Sequence, residues 1–198
     1  MGRKATIHRE TSETQIEIAL DLDGRGQAQV STGIGFLDHM LTALARHARF
    51  DIEVRARGDL DVDEHHTVED VGIVLGRALS DALGDRAGIT RMGHAVVPMD
   101  EALALVAIDI GGRGVLVCLG RFDTQRVGGR GTSLVSPFFP ALAAEARMNL
   151  HAHLLAGSDD HHRAEALFKA LARALHHATR PDPTLGGEVP STKHSIEV

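Results

Sequence analysis

One segment of this chain occurs twice. The run TALARHARFDIEV, from Thr42, aligns with PALAAEARMNLHAH, from Pro140, at an offset of 98 residues, and a loop shorter by two residues then sets His65 against His161. A duplication holds both copies to one supersecondary plan, so periodicity in one half constrains the other. In the first half, segments 5–11 (ATIHRET), 14–21 (TQIEIALD) and 27–32 alternate like strands, with Asp23, Gly24 and Gly26 marking a hairpin turn. A helix follows from about Gly35, where Phe36, Leu37, Met40, Leu41 and Leu44 recur at helical spacing. The strand FDIEVRA, the acidic loop GDLDVDE and a second helix from His65 to Leu83 complete the half.

The same order then returns. Strands around Ala95, from Leu103 to Ile110 and from Gly114 to Leu119 precede a helix from about Phe138 to Ala146, the strand MNLHAHLL, the loop AGSDD and a helix from His161 to about Thr179. The expectation is an α+β fold of two duplicated half-domains, 1–92 and 93–198, each a mixed sheet covered by its own helices. The stretch RVGGRGT is the one obviously flexible loop.

Acids outnumber lysine and arginine by 27 to 21, so no global basic field draws in nucleic acid or an anionic membrane, and an anionic ligand needs a local pocket. No apolar run approaches the length that spans a bilayer. Cys118 is the only cysteine, which excludes an intramolecular disulfide, suits a reducing, cytoplasmic setting and fits a small core residue on a strand.

The 13 histidines cluster, and the clusters carry the chemistry. HHTVED supplies His65, His66, Glu69 and Asp70, and HHRAE repeats the pattern with His161, His162 and Glu165. On a helix, a histidine and the glutamate four residues on share a face while the adjacent histidine points about 100° away, so neighbouring histidines can serve different ions. Imidazole with carboxylate suits Mn²⁺, Fe²⁺, Co²⁺ or Zn²⁺. A solvated helix start explains one such motif equally well, but not two at matching places in a repeat. His39, in GFLDHML, is placed to add a ligand, with Asp38 orienting it; the duplicate of His39 is Pro137, which has no side-chain donor. Arg91, Arg113, Ser191, Thr192 and Lys193 are the candidates for holding an anion. No Walker A sequence, nucleophile elbow or HExxH occurs.

Taken together, GIGFLDHML, DEHHTVED, PMDEAL, the GGR turn, HHRAEALFKALARAL and VPSTK resemble the imidazoleglycerol-phosphate dehydratase family, in its monofunctional form, almost end to end. The resemblance implies split β-α-β halves of the ribosomal protein S5 domain 2-like class with left-handed crossovers. It further implies a 24-subunit homo-oligomer with sites shared between chains, and two Mn²⁺ per site. By position it makes His39, His65, His66, Glu69, His161, His162 and Glu165 metal ligands, and Glu13 the acid/base group. Catalysis is assigned to Glu13, His39, His66, Glu69 and Glu165, and substrate binding to Glu13, His39, His65, Glu69, Arg91, Arg113, His161, Glu165, Lys169, Ser191, Thr192 and Lys193. The implied reaction converts imidazole glycerol phosphate to imidazole acetol phosphate and water in histidine biosynthesis. The imidazole, as imidazolate, would act as electron sink while the C3 hydroxyl leaves to give a diazafulvene. Two departures stand out: Pro137 replaces a ligand, and His194 replaces the glycine that usually follows PSTK, which would force a different loop geometry if that position needs positive φ. A non-catalytic metal-binding paralogue forming a symmetric shell, or a lyase or hydrolase acting on another azole phosphate, remains open from sequence alone.

Overall fold

Alternation of Thr14, Ile16, Ile18 and Leu20 with Gln15, Glu17, Ala19 and Asp21 gives one strand a buried face, and Ala102, Ala104, Val106 and Ile108 do the same in the second half. These strands lie inside their sheets, and the rest of each half is built around them. The computed structural model describes residues 2–120 and 134–196. The first half comprises β1 (Lys4–Glu10), β2 (Thr14–Asp21), β3 (Ala28–Ser31), α1 (Gly35–Ala48), β4 (Asp51–Gly58) and α2 (His65–Leu83). The second comprises β5 (Met92–Met99), β6 (Ala102–Asp109), β7 (Val115–Leu119), α3 (Val135–Glu145), β8 (Asn149–Ala156) and α4 (Asp160–Thr179). The stretch RVGGRGT falls outside the described residues.

Both halves form a four-stranded mixed sheet of the same order, β1-β2-β4-β3 and β5-β6-β8-β7, in which only the β3–β4 and β7–β8 pairs are parallel. The duplication reaches single dihedrals. The corner between α1 and β4 turns through a left-handed Arg49 (φ 61°), and the corner between α3 and β8 turns through Arg147 (φ 50°), 98 positions later. This fixes the pairing of His39 with Pro137 in three dimensions.

Three sequence expectations are corrected. Asp23 to Gly26 is not a hairpin turn, because β4 lies between β2 and β3; the connection is pinned by Asp51, whose carboxylate accepts the backbone N–H groups of Arg25 and Gln27 at 2.8 Å each. Gly and Asp serve such a crossing as readily as a hairpin. Cys118 is exposed rather than in the core, because β7 is an edge strand. Helix α3 begins at Val135, three residues before the expected start, since Pro137 lies in the first turn, where its missing N–H removes no helical bond.

The helices of the two halves pack on one another, α1 against α4 and α2 against α3, with a sheet on either side and one continuous apolar core. Gly72 and Gly76 bring α2 close to α3: a Cβ at Gly72 would lie 2.7 Å from the Phe138 carbonyl oxygen, and one at Gly76 2.9 Å from that of Leu142. Phe138, Phe139 and Phe168, all fully buried, bring α3 and α4 together, with the Phe138 and Phe168 rings 5.2 Å apart. Among the described residues, no helix is long and apolar enough to cross a membrane.

Candidate metal centre

Helix periodicity sets the geometry of the HHxxE motifs. At the start of α4, His161 and Glu165 lie one turn apart, with Nε2 to Oε2 at 3.4 Å. Packing of α1 on α4 brings in His39, whose Nε2 is also 3.4 Å from Glu165 Oε2. Ligand atoms of these three residues all lie within 4.8 Å of one another, the only such group of three among the described residues. Donors on opposite sides of an ion at about 2.0–2.2 Å are about 4 Å apart, so the set fits one borderline divalent ion with small side-chain adjustments. Glu165 is buried, and Lys169 Nζ lies 2.7 Å from its other oxygen. Burial works against a charged carboxyl there, but the Lys169 ammonium and His39 outweigh it and hold Glu165 below its ordinary pKa. Phe36, only partly buried, packs against His161 with ring centroids 4.8 Å apart and the rings tilted by 47°.

The equivalent place at the start of α2 is poorer. His65 Nε2 and Glu69 Oε2 are 4.0 Å apart, both side chains are about half exposed, and no third donor joins them among the described residues. Pro137, where the duplication places a partner for them, is buried in the first turn of α3.

The second histidine of each motif turns away, as the 100° step requires, and meets a carboxylate from a loop. His66 Nδ1 is 3.0 Å from Asp59 Oδ2 and 3.9 Å from Glu13 Oε2. His162 Nδ1 is 2.7 Å from Glu101 Oε2, with Asp100 Oδ2 3.5 Å from its Nε2. Hydrogen bonding to Asp59 raises the His66 pKa, and bonding to Glu101 raises that of His162. Glu101 also accepts the backbone N–H groups of Asp159 and Ser158, and these bonds hold it far below the usual carboxylate range. A carboxylate on Nδ1 orients the ring and turns Nε2 outward as a ligand atom, though in His162 Asp100 already approaches that atom. The segments GDLDVDE and PMDEAL display Asp59 and Glu101, but nothing in an acidic loop says which acid will reach a histidine.

Two other acids are structural. Asp70 is buried and accepts Arg9 Nε at 3.1 Å and the Thr14 hydroxyl, tying α2 to β1 and β2. Asp38 does not orient His39; it accepts the backbone N–H and hydroxyl of Thr32 at 2.9 and 2.6 Å.

A separate cavity of about 270 Å³ is lined by Arg91, Gly111, Arg113, Ser191, Thr192, Lys193 and two further residues of the C-terminal loop. Every anion-binding candidate read from the sequence lines it. Asp109 engages Arg91 through two bonds of 2.7 and 3.0 Å, and Arg91 Nη1 donates to the Pro190 carbonyl at 2.7 Å, so one guanidinium also tethers the loop. His194 itself adopts positive φ (57°), so the turn keeps a left-handed residue without glycine. No lining residue of this cavity belongs to the imidazole–carboxylate groups.

Fold and site together define a class: duplicated α+β proteins that gather imidazole and carboxylate donors on helix starts, with a basic pocket suited to phosphate. Comparison with known proteins narrows this. Residues 32–175 match the family model described as imidazoleglycerol-phosphate dehydratase. The chain is 61% identical over 191 residues to the imidazoleglycerol-phosphate dehydratase of Chloroflexus aurantiacus, covering 96% of this chain and 93% of that protein. It is 57% identical over 196 residues to that of Granulibacter bethesdensis, covering 99% and 100%. The fold is similar to the crystal structures of the enzyme from Staphylococcus aureus (TM-score 0.81, 36% identity, 90% of this chain and 99% of that one) and from Pyrococcus furiosus (TM-score 0.82, 36% identity, 96% and 100%). This chain belongs to the imidazoleglycerol-phosphate dehydratase family.

Proposed function

We propose that the chain dehydrates imidazoleglycerol phosphate to imidazole acetol phosphate in histidine biosynthesis, as a manganese-dependent hydro-lyase of the cytoplasm. The observation that carries this reading is the convergence of His39, His161 and Glu165 from two helices in a chain of this family. His39, His161 and Glu165 would hold one ion, and His65 and Glu69 a second, with His66 and His162 presenting Nε2 as further ligands. Such ions would supply Lewis-acid stabilisation of the negative charge that the elimination places on the substrate's imidazole.

The protein's own groups do the rest. Arg91, Arg113, Ser191, Thr192 and Lys193 receive the phosphate through charge-assisted hydrogen bonds, and the C-terminal loop excludes water around it. Glu13, about half exposed beside His66, moves a proton to or from the glycerol chain, with its charge facing an imidazole already engaged by Asp59. Keeping this acid against the motif favours catalysis over a metal-holding shell.

Donor groups and phosphate cavity share no residues within one chain, which supports a site completed by neighbouring copies in a homo-oligomer. Met92, Val96, Val115, Leu119 and Leu155, all exposed, belong to strands of the second sheet and supply an apolar contact for self-association. Chelation should then delay elution on gel filtration. Chain stripped of metal and reloaded with Mn²⁺ should turn over imidazoleglycerol phosphate, whereas the stripped chain should not; a reloaded chain without turnover would overturn the reading.

A further inference from the structure

The two halves offer unequal places for an ion, and the difference lies in this chain's own residues. The pairing of α1 with α4 repeats in the pairing of α2 with α3, and the left-handed corners at Arg49 and Arg147 lock the register, so His39, His161 and Glu165 correspond to Pro137, His65 and Glu69. Position 137 is a spatial match as well as a sequence match, because its neighbour Phe138 presses its carbonyl against Gly72, one turn beyond Glu69 on α2.

Three differences accumulate at the α2–α3 place. An imidazole is replaced by a proline with no donor. The glutamate is about half exposed at Glu69 but buried at Glu165, so its charge is better screened by water. Lys169, which bonds Glu165, corresponds to Ile73, so the matching position offers Glu69 no ammonium.

Among the described residues, none of Glu145, His94 and His153 joins His65 and Glu69 as a third donor. Glu145 accepts Arg77 Nε at 2.9 Å, and it lies eight residues along α3 from Pro137, about 12 Å away. His94 and His153 stand on β5 and β8, strands of the second sheet that flank β6.

We infer that the two metal positions of this chain differ in affinity, the α1–α4 position binding tightly and the α2–α3 position binding weakly because Pro137 withholds a ligand. The inference rests on the manganese reading above. The weak position fills only at higher metal concentration, so metal supply sets how many chains carry both ions.

The test titrates metal-free full-length chain with Mn²⁺ and reads free ion by electron paramagnetic resonance. The wild type should show one tight ion per chain and a second bound at least about tenfold more weakly, the size of loss that removing one coordinating or orienting partner gives. Pro137→His should bring the second ion to within a few-fold of the first. His39→Ala should abolish the tight class, and His65→Ala should leave it in place, so the inference stays testable even if Pro137→His folds poorly. Two ions of equal affinity in the wild type, or a tight class lost with His65→Ala but kept with His39→Ala, would overturn it while leaving manganese binding intact. Absence of any Mn²⁺ binding by the wild type would overturn the manganese reading itself.

Discussion

The α1–α4 and α2–α3 seams are two versions of one design. Both join a helix that follows a parallel strand to a helix that opens with HHxxE, and in both the first helix turns into the next strand through a left-handed arginine. In one seam, His39 completes a three-donor cluster around a buried Glu165. In the other, Pro137 occupies the matching position, and Gly72 and Gly76 let the helices close tightly over it. The lesson is that backbone plan and donor set are separable. A first-turn proline costs the helix no hydrogen bond, so the fold tolerates a substitution that the chemistry feels.

The sharpest way to break this comparison is to damage the complete seam. Glu165→Gln should lower kcat/KM by about 10³-fold or more, exceeding the roughly 10–100-fold expected when only an orienting partner is lost, as steady-state kinetics at saturating Mn²⁺ would show. Next come the carboxylates behind the second histidines. Asp59→Asn and Glu101→Gln should each cost about 10–100-fold in metal affinity or activity, and a much smaller loss for either would mean that its histidine needs no orientation.

Acid should also distinguish the seams. His47 and His176 lie at the α1–α4 seam, where burial above all lowers both pKa values, and His176 Nδ1 donates to the Ala48 carbonyl at 2.9 Å. Their counterparts are Glu145 and Ser80. Each histidine binds a proton less readily folded than unfolded, so stability is full above the ordinary value of 6.5 and falls as pH drops through it toward the lowered folded value. Metal-free protein should therefore melt lower at pH 5 than at pH 7.5, and the His47→Gln, His176→Gln double variant should recover roughly 2–4 °C of that loss. An unchanged acid slope would remove these histidines from the explanation.

The smallest effect belongs to the C-terminal loop. His194→Gly should relieve a left-handed residue that costs about 1 kcal/mol, partly offset by greater freedom of the unbound loop, and shift KM by less than about threefold. A larger shift would show that the imidazole of His194 contacts the substrate.

Much of this was legible in the sequence. The repeat gave the order of elements, and α2 runs over His65–Leu83 as periodicity indicated, because apolar spacing and motif start coincide there. The phosphate candidates, scattered from Arg91 to Lys193, do line one cavity. The crossing of β3 past β4 was not legible, since turn residues report a change of direction but not which strand is met next. Nor were the roles of Asp38, Asp59, Asp70 and Glu101, because an acid's partner is set by how loops and elements pack within each half, which spacing along the chain does not show. The gathering of His39 with Glu165, 126 positions apart, needed the α1–α4 contact.

The most direct test of the unequal pair is anomalous diffraction at the manganese edge from crystals of chain equilibrated with limiting Mn²⁺. The expected map has a strong peak among His39, His161 and Glu165 and a weaker one beside His65 and Glu69. Equal peaks at both places, or no peak at the first, would contradict it.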